Sequence, residues 1–152
     1  QLRGAFPKEK IIGLDLSGSY LKEASRFISN LDGDLIELIK GNAEELPFED
    51  SSLQGISCVY LFHELPRTVR EKVLKEFFRV LEPGGVLVLA DSIQINDSPN
   101  FISIMEGFYK NFHEPFYCDY IRDDIDKKMQ EIGFKDINNK SFFMTKVWSA
   151  IK

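Results

Sequence analysis

The sequence predicts an α/β protein built on a doubly wound, mostly parallel sheet covered by helices and closed by antiparallel pairing at its C-terminal end. Three observations predict it. Apolar runs at 11–16, 35–39, 53–62 and 86–90 bunch Ile, Leu and Val rather than alternating them, as strands covered on both faces of a parallel sheet require. Between them stand segments whose apolar residues recur every three or four positions, the period of a helix lying on a sheet. The last two strand-like runs, at 134–138 and 144–151, follow one another with no helix between, which gives an antiparallel finish.

Residues 2–7, Leu-Arg-Gly-Ala-Phe-Pro, read as the tail of a helix stopped by proline, so helical residues are expected before position 1. The first strand, within 10–17, closes on Asp15. Ser17 or Ser19 then caps a helix reaching Asn30, with Leu21, Ala24 and Ile28 on one face, and Asp32-Gly33-Asp34 makes a turn. The second strand, 35–39, runs into Asn42-Ala43-Glu44-Glu45-Leu46-Pro47-Phe48, and the third, 53–62, into His63-Glu64-Leu65-Pro66. After Pro66, Thr68 and Glu71 have capping-box spacing, and Val73, Leu74, Phe77, Phe78 and Leu81 share a helix face that ends at Pro83-Gly84-Gly85. The strand at 86–90 closes on Asp91, the second strand to end on an acid. A helix over 98–110 is expected to turn Phe101, Ile104, Met105 and Phe108 inward, and 117–120 reads as a loop. Ile121, Ile125, Met129 and Ile132 mark a helix ended by Gly133, and the closing strands are expected to turn around Asn138-Asn139-Lys140.

A chain of 152 residues with 43% apolar content is expected to form one domain with a real core. Its net charge is −5 and its basic residues are scattered, which argues against nucleic acid and against an anionic membrane as partners. Cys58 and Cys118 form no CxxC pair, so a reduced, cytoplasmic protein is the expectation. No run of about 18 apolar residues is present.

In open α/β sheets ligands sit outside the carboxyl ends of the strands, where an acid accepts hydrogen bonds from ribose hydroxyls. Asp15 is the candidate for that role, against a plain helix-capping one. His63 follows the third strand and titrates in the range of a general base, against a purely structural role as a cap; Glu64 would orient it. His63-Glu64 and His113-Glu114 lack the His-x-x-x-His spacing of two metal ligands on one helix face, so no metal is expected.

Four segments together resemble a class I methyltransferase dependent on S-adenosylmethionine, of the type 11 kind, over nearly the whole chain. They are Gly-Leu-Asp-Leu-Ser at 13–17, Asn-Ala-Glu-Glu-Leu-Pro-Phe at 42–48, the strand and loop at 57–66, and Arg-Val-Leu-Glu-Pro-Gly-Gly-Val-Leu at 79–87. The resemblance implies a Rossmann-like methyltransferase fold, S-adenosylmethionine as cofactor and a small-molecule acceptor. It places Asp15, Leu16, Asn42, Ala43, Glu44, Ser57 and Val59 at cofactor positions, while His63 and Glu64 remain the catalytic candidates by their place after the third strand. The aromatic segment Phe108, Tyr109, Phe112, Phe116 and Tyr117 falls where substrate lids lie in that family. Asn42 departs from the family's more common Asp. The family's glycine-rich loop precedes the ribose acid by about 20 residues, so it falls before Gln1 and the first, central strand is missing with it. Weak or no cofactor binding is expected of the chain as it stands. The strands at 11–16 and 53–62 are expected to pair directly, or a second copy to cover them as a homo-oligomer. A degenerate, non-catalytic interaction module is the alternative reading, and a nicotinamide-dinucleotide enzyme a third.

Overall fold

A computed structural model describes residues 2–28 and 35–152, with the side chains of 109–112 outside the description. The chain divides into two compact units, Gln1–Pro47 and Phe48–Lys152. In the first, α1 (Leu2–Ala5) leads to β1 (Ile11–Asp15), α2 (Gly18–Ile28) and β2 (Ile36–Lys40). β1 and β2 run parallel, with Ile11 opposite Ile36 and Asp15 opposite Lys40. Leu21, Ala24 and Ile28 are the half-buried positions of α2, as their spacing predicts, whereas Tyr20 and Phe27 stand exposed. The expected helix end at Asn30 and the turn at Asp32-Gly33-Asp34 lie outside the described residues.

The second unit contains β3 (Leu53–Val59), α3 (Arg67–Val80), β4 (Leu81–Ser92), α4 (Ile102–Phe112), α5 (Tyr117–Tyr120), α6 (Ile125–Ile132), β5 (Lys135–Phe142) and β6 (Thr145–Ile151). Its sheet has the order β3-β4-β6-β5. β3 and β4, joined through a helix, are parallel; β4–β6 and β6–β5 are antiparallel, the finish the sequence predicts. The strands therefore pair as two separate sheets.

Burial alternates along β4 and β6, and the ladder sets Leu87 opposite Ala150, Leu89 opposite Trp148 and Asp91 opposite Lys146, all six of them buried. This face is the core, and the same alternation sends an acid and a lysine inward. The Trp148 indole N–H donates to Asp126 at 3.0 Å, so the largest core side chain keeps its one polar atom satisfied.

Several boundaries differ from the expectation for local reasons. α3 begins at Arg67 with Pro66 as its cap residue and no side-chain cap, so Thr68 lies inside the first turn. The Pro66 carbonyl instead accepts the Val69 and Arg70 N–H groups and opens the helix. The inward face of α3 is Arg70, Val73, Leu74, Phe77 and Val80. Ile104 is exposed and only Met105 of its helix face is fully buried. Residues 117–120 form a helical turn rather than a loop, held because Tyr117 and Tyr120 are both buried. The β5–β6 hairpin turns between Phe142 and Thr145, not around Asn138, and its tip residue Phe143 is 82% exposed. Gly133 ends α6 at φ 117°, with the Phe134 N–H donating to the Met129 carbonyl at 3.0 Å, the left-handed cap that glycine favours.

Arg70 is fully buried on α3 and is held by Asp123 at 2.8 Å, by Asp119 and by the Leu65 carbonyl. Asp123, itself buried, also takes Lys128 of α6. These charges join α3 to the segment carrying α5 and α6. Removing one partner of a buried ion pair strands the other charge. Arg70→Met should lower unfolding stability by about 3 kcal/mol, read from urea midpoints. Lys75→Met, which breaks only the exposed Lys75–Glu71 pair, should change it by less than about 0.5 kcal/mol.

Candidate functional site

In the first unit the parallel register carries the ends of β1 and β2 side by side. The Gly41 N–H donates to the Asp15 carbonyl at 3.1 Å, extending the pairing one residue past β2. Gly41 lies against the Leu14 side chain, so that a Cβ there would sit 2.9 Å from the Leu14 Cδ1 and would have to move that side chain aside. That loop closes at once: the Glu45 N–H donates to the Asn42 carbonyl, and the Glu44 N–H to the Asn42 side-chain oxygen at 3.0 Å. Asp15 accepts the Ser17 N–H at 2.7 Å on one carboxylate oxygen. Among the described residues nothing engages its second oxygen or the Ala43 N–H. A carboxylate and an amide donor at adjoining strand ends fit the sugar and base of a nucleoside. Asp15, Asn42, Ala43 and Glu44 are thus brought together within this unit, and Leu16 beside them is 66% exposed.

The second unit holds the remaining candidates. Ser57 and Val59 project from the exposed side of β3, with Val59 58% exposed, while Cys58 between them is buried. Burial, and secondarily the charge of Asp91, pushes the Cys58 thiol up to about 12. Beyond β3, Tyr60 turns the chain at φ 52° and a short 3-10 turn, Phe62–Glu64, places His63 over the end of β4. There the His63 Nδ1 meets an oxygen of Asp91 at 2.7 Å. Asp91 has no exposure; its other oxygen accepts the Phe62 N–H at 2.7 Å and the first also accepts the Ser92 N–H at 2.7 Å.

Three tyrosines fence the imidazole edge-on, Tyr60 at 6.2 Å, Tyr117 at 6.1 Å and Tyr120 at 6.3 Å between ring centroids. Their hydroxyls are anchored: Tyr60 to Thr145, Tyr117 to the Ser92 hydroxyl at 2.7 Å, and Tyr120 to the Ser92 carbonyl at 2.6 Å. Of the aromatic segment expected to form a lid, Phe108 stacks on Tyr117 at 4.9 Å, and Phe116 is partly exposed. The side chains of Tyr109 and Phe112 lie outside the description. Glu64 is exposed and makes no hydrogen bond to His63; its charge, like that of Glu114, acts on the ring only through space.

Asp91 is the residue the sequence reading passed over. Its signal was present, an acid closing a strand exactly as Asp15 does, but no spacing links 91 to 63; only the β3–β4 pairing does. Burial lowers the basicity of His63, whereas the Asp91 hydrogen bond and the charges of Asp91, Glu64 and Glu114 raise it, and the rise prevails. A base that binds its proton more tightly when folded stabilises the fold in acid. That contribution is complete below the unfolded value of about 6.5 and is lost as pH rises through the folded value. The melting temperature of the wild type should therefore fall relative to that of His63→Gln as pH is raised through this window, measured by circular dichroism at fixed ionic strength.

A family model described as a methyltransferase domain matches residues 1–85. The demethylmenaquinone methyltransferase of Listeria monocytogenes serotype 4a is 34% identical over 104 residues, 68% of this chain and 43% of that protein. That of Oceanobacillus iheyensis is 30% identical over 133 residues, 88% of this chain and 52% of that protein. The chain spans about half the length of these curated relatives. Among solved structures, a SAM-dependent methyltransferase from Aquifex aeolicus superposes with a TM-score of 0.64 at 17% identity, covering 93% of this chain and 68% of that one, a likeness of fold alone. With the matched model covering more than half of its residues, the chain belongs to the methyltransferase-domain family.

Proposed function

We propose that this protein transfers a methyl group from S-adenosylmethionine to a small-molecule acceptor. The observation that carries the reading is the pair formed by the Asp15 carboxylate and the Ala43 N–H at adjoining strand ends, in a chain of this family. Asp15 would accept the ribose hydroxyls, and Asn42 and Ala43 would border the adenine, with Leu16 and Glu44 flanking them. Asn42 already spends its side-chain oxygen on the Glu44 N–H, so the base is left to its amide and to the Ala43 N–H. Ser57 and Val59, exposed on β3, are the positions assigned to the sulfonium end.

When bound, the cofactor supplies an electrophilic methyl group, which needs an aligned acceptor more than it needs activation. The work left to the protein is to orient the acceptor and to take up a proton that it loses. His63 is the base in this reading, with Glu64 adding negative potential. The acceptor class is supported by the relatives, which are named for demethylmenaquinone, and by the exposed Tyr60 ring beside His63, which offers a planar ring an aromatic contact.

Calorimetric titration of the full-length protein with S-adenosylmethionine tests the cofactor assignment. Asp15→Ala should weaken binding by about 10- to 100-fold, the loss of charged hydrogen bonds worth about 1.5–3 kcal/mol. Unchanged affinity in that variant would remove Asp15 from the site. Absence of any binding to the wild type would favour an interaction module that has lost its cofactor.

A further inference from the structure

We propose that Asp91 is the positioning residue of the His63 site, fixing the imidazole as its Nδ1–H tautomer so that Nε2 is the atom that takes the proton from the acceptor. The choice of proton acceptor rests on the methyl-transfer reading; the tautomer does not. The argument begins with the carboxylate. Both oxygens of Asp91 already accept backbone N–H groups, from Phe62 and from Ser92. Such a group is held as an acceptor, so the proton in the 2.7 Å contact with His63 belongs to Nδ1. Neutral imidazole carries only one proton, and Nε2 is then left with a lone pair.

The surroundings leave Nε2 to this task. Among the described residues nothing bonds it, while the ring is confined by Tyr60, Tyr117 and Tyr120 and its side chain is only 14% exposed. The hydroxyls of all three tyrosines are committed elsewhere, to Thr145 and Ser92. Lys146, directly across the β4–β6 ladder from Asp91, gives its ammonium to Asp97 at 2.8 Å, so the Asp91 charge is not spent on it. The titratable and charged groups that face the dyad are therefore Glu64 on its own turn, Glu114 ahead of α5, Tyr60, Tyr117 and Tyr120, Cys58 on β3 and Lys146 on β6.

In the resulting step the acceptor loses a proton to Nε2. A bond forms between the acceptor atom and the methyl carbon, and the methyl–sulfur bond breaks with its pair kept on sulfur. The imidazolium, stabilised by Asp91, then returns the proton to solvent. Such a base suits an acceptor of mild acidity, a hydroxyl on an aromatic ring or the ring carbon it activates, and is mismatched to an aliphatic alcohol.

The chain contains two histidines, so His63 and His113 are distinguishable in a long-range proton–nitrogen correlation spectrum of uniformly labelled protein. At high pH the wild type should show His63 as Nδ1–H and His113 without that preference. In Asp91→Asn the amide can donate to Nδ1, so His63 should switch to Nε2–H and titrate at lower pH. Nε2–H in the wild type overturns the proposal, and this arm requires no variant to fold. An Asp91→Asn protein with unchanged tautomer and titration overturns it equally. With labelled S-adenosylmethionine and 1,4-dihydroxynaphthalene as probe, Asp91→Asn should lower kcat by about 100-fold or more while cofactor affinity stays unchanged. A parallel loss of cofactor affinity would make Asp91 structural and refute the assignment. Failure of the wild type to bind cofactor, with the tautomer as stated, would instead refute the methyl-transfer reading alone.

Discussion

A carboxylate without access to water organises the second unit. Asp91 lies at the end of β4 and accepts three donors at 2.7 Å, the Phe62 and Ser92 N–H groups and the His63 ring. A buried charge is costly unless hydrogen bonds replace its water, and here they do. Two of these bonds, from Phe62 and His63, tie the loop after β3 to the strand after which the chain turns outward. Around that tie sit Phe62, Tyr117 and Tyr120, all buried, and Ser92 is hydrogen-bonded to both tyrosine hydroxyls. Geometry that would serve chemistry is thus the geometry that holds the loop down.

The first unit uses a lighter device. Its two parallel strands deliver Asp15 and the Asn42–Glu45 turn to one edge by register alone. There is little buried apolar area to enforce this; β1 is half-buried throughout and α2 has no fully buried residue. Backbone hydrogen bonds carry the arrangement, through Gly41 to Asp15 and Glu45 to Asn42.

Much of this was legible beforehand, for identifiable reasons. Bunched apolar runs located β1, β2, β3 and the second half of β4, and the absence of a helix between the last two strands announced their antiparallel pairing. Asp15 and Asn42–Ala43 were legible because strand ends in a parallel sheet converge whatever the side chains are. Local rules failed where tertiary contacts outweighed them. The Thr68–Glu71 spacing suggested a capping box, yet Pro66 starts the helix without one. Residues 117–120 lack helical length, but two buried tyrosines hold them in a turn of helix. Asn138-Asn139-Lys140 looked like a hairpin tip and is instead strand, because the ladder to Ser149, Trp148 and Val147 runs past it. Asp91 stood out as a strand-closing acid, but its tie to His63 was not legible, since the two are 28 residues apart and only sheet pairing unites them.

Cys58 carries a consequence of a different kind. Its thiol is one strand position from the exposed Val59, yet burial and the neighbouring carboxylate keep it protonated well above neutrality. Alkylating and oxidising reagents consume thiolates, so they pass this sulfur by while the β3–β4 pairing is intact. Its rate of labelling is then a clock for the opening of that sheet.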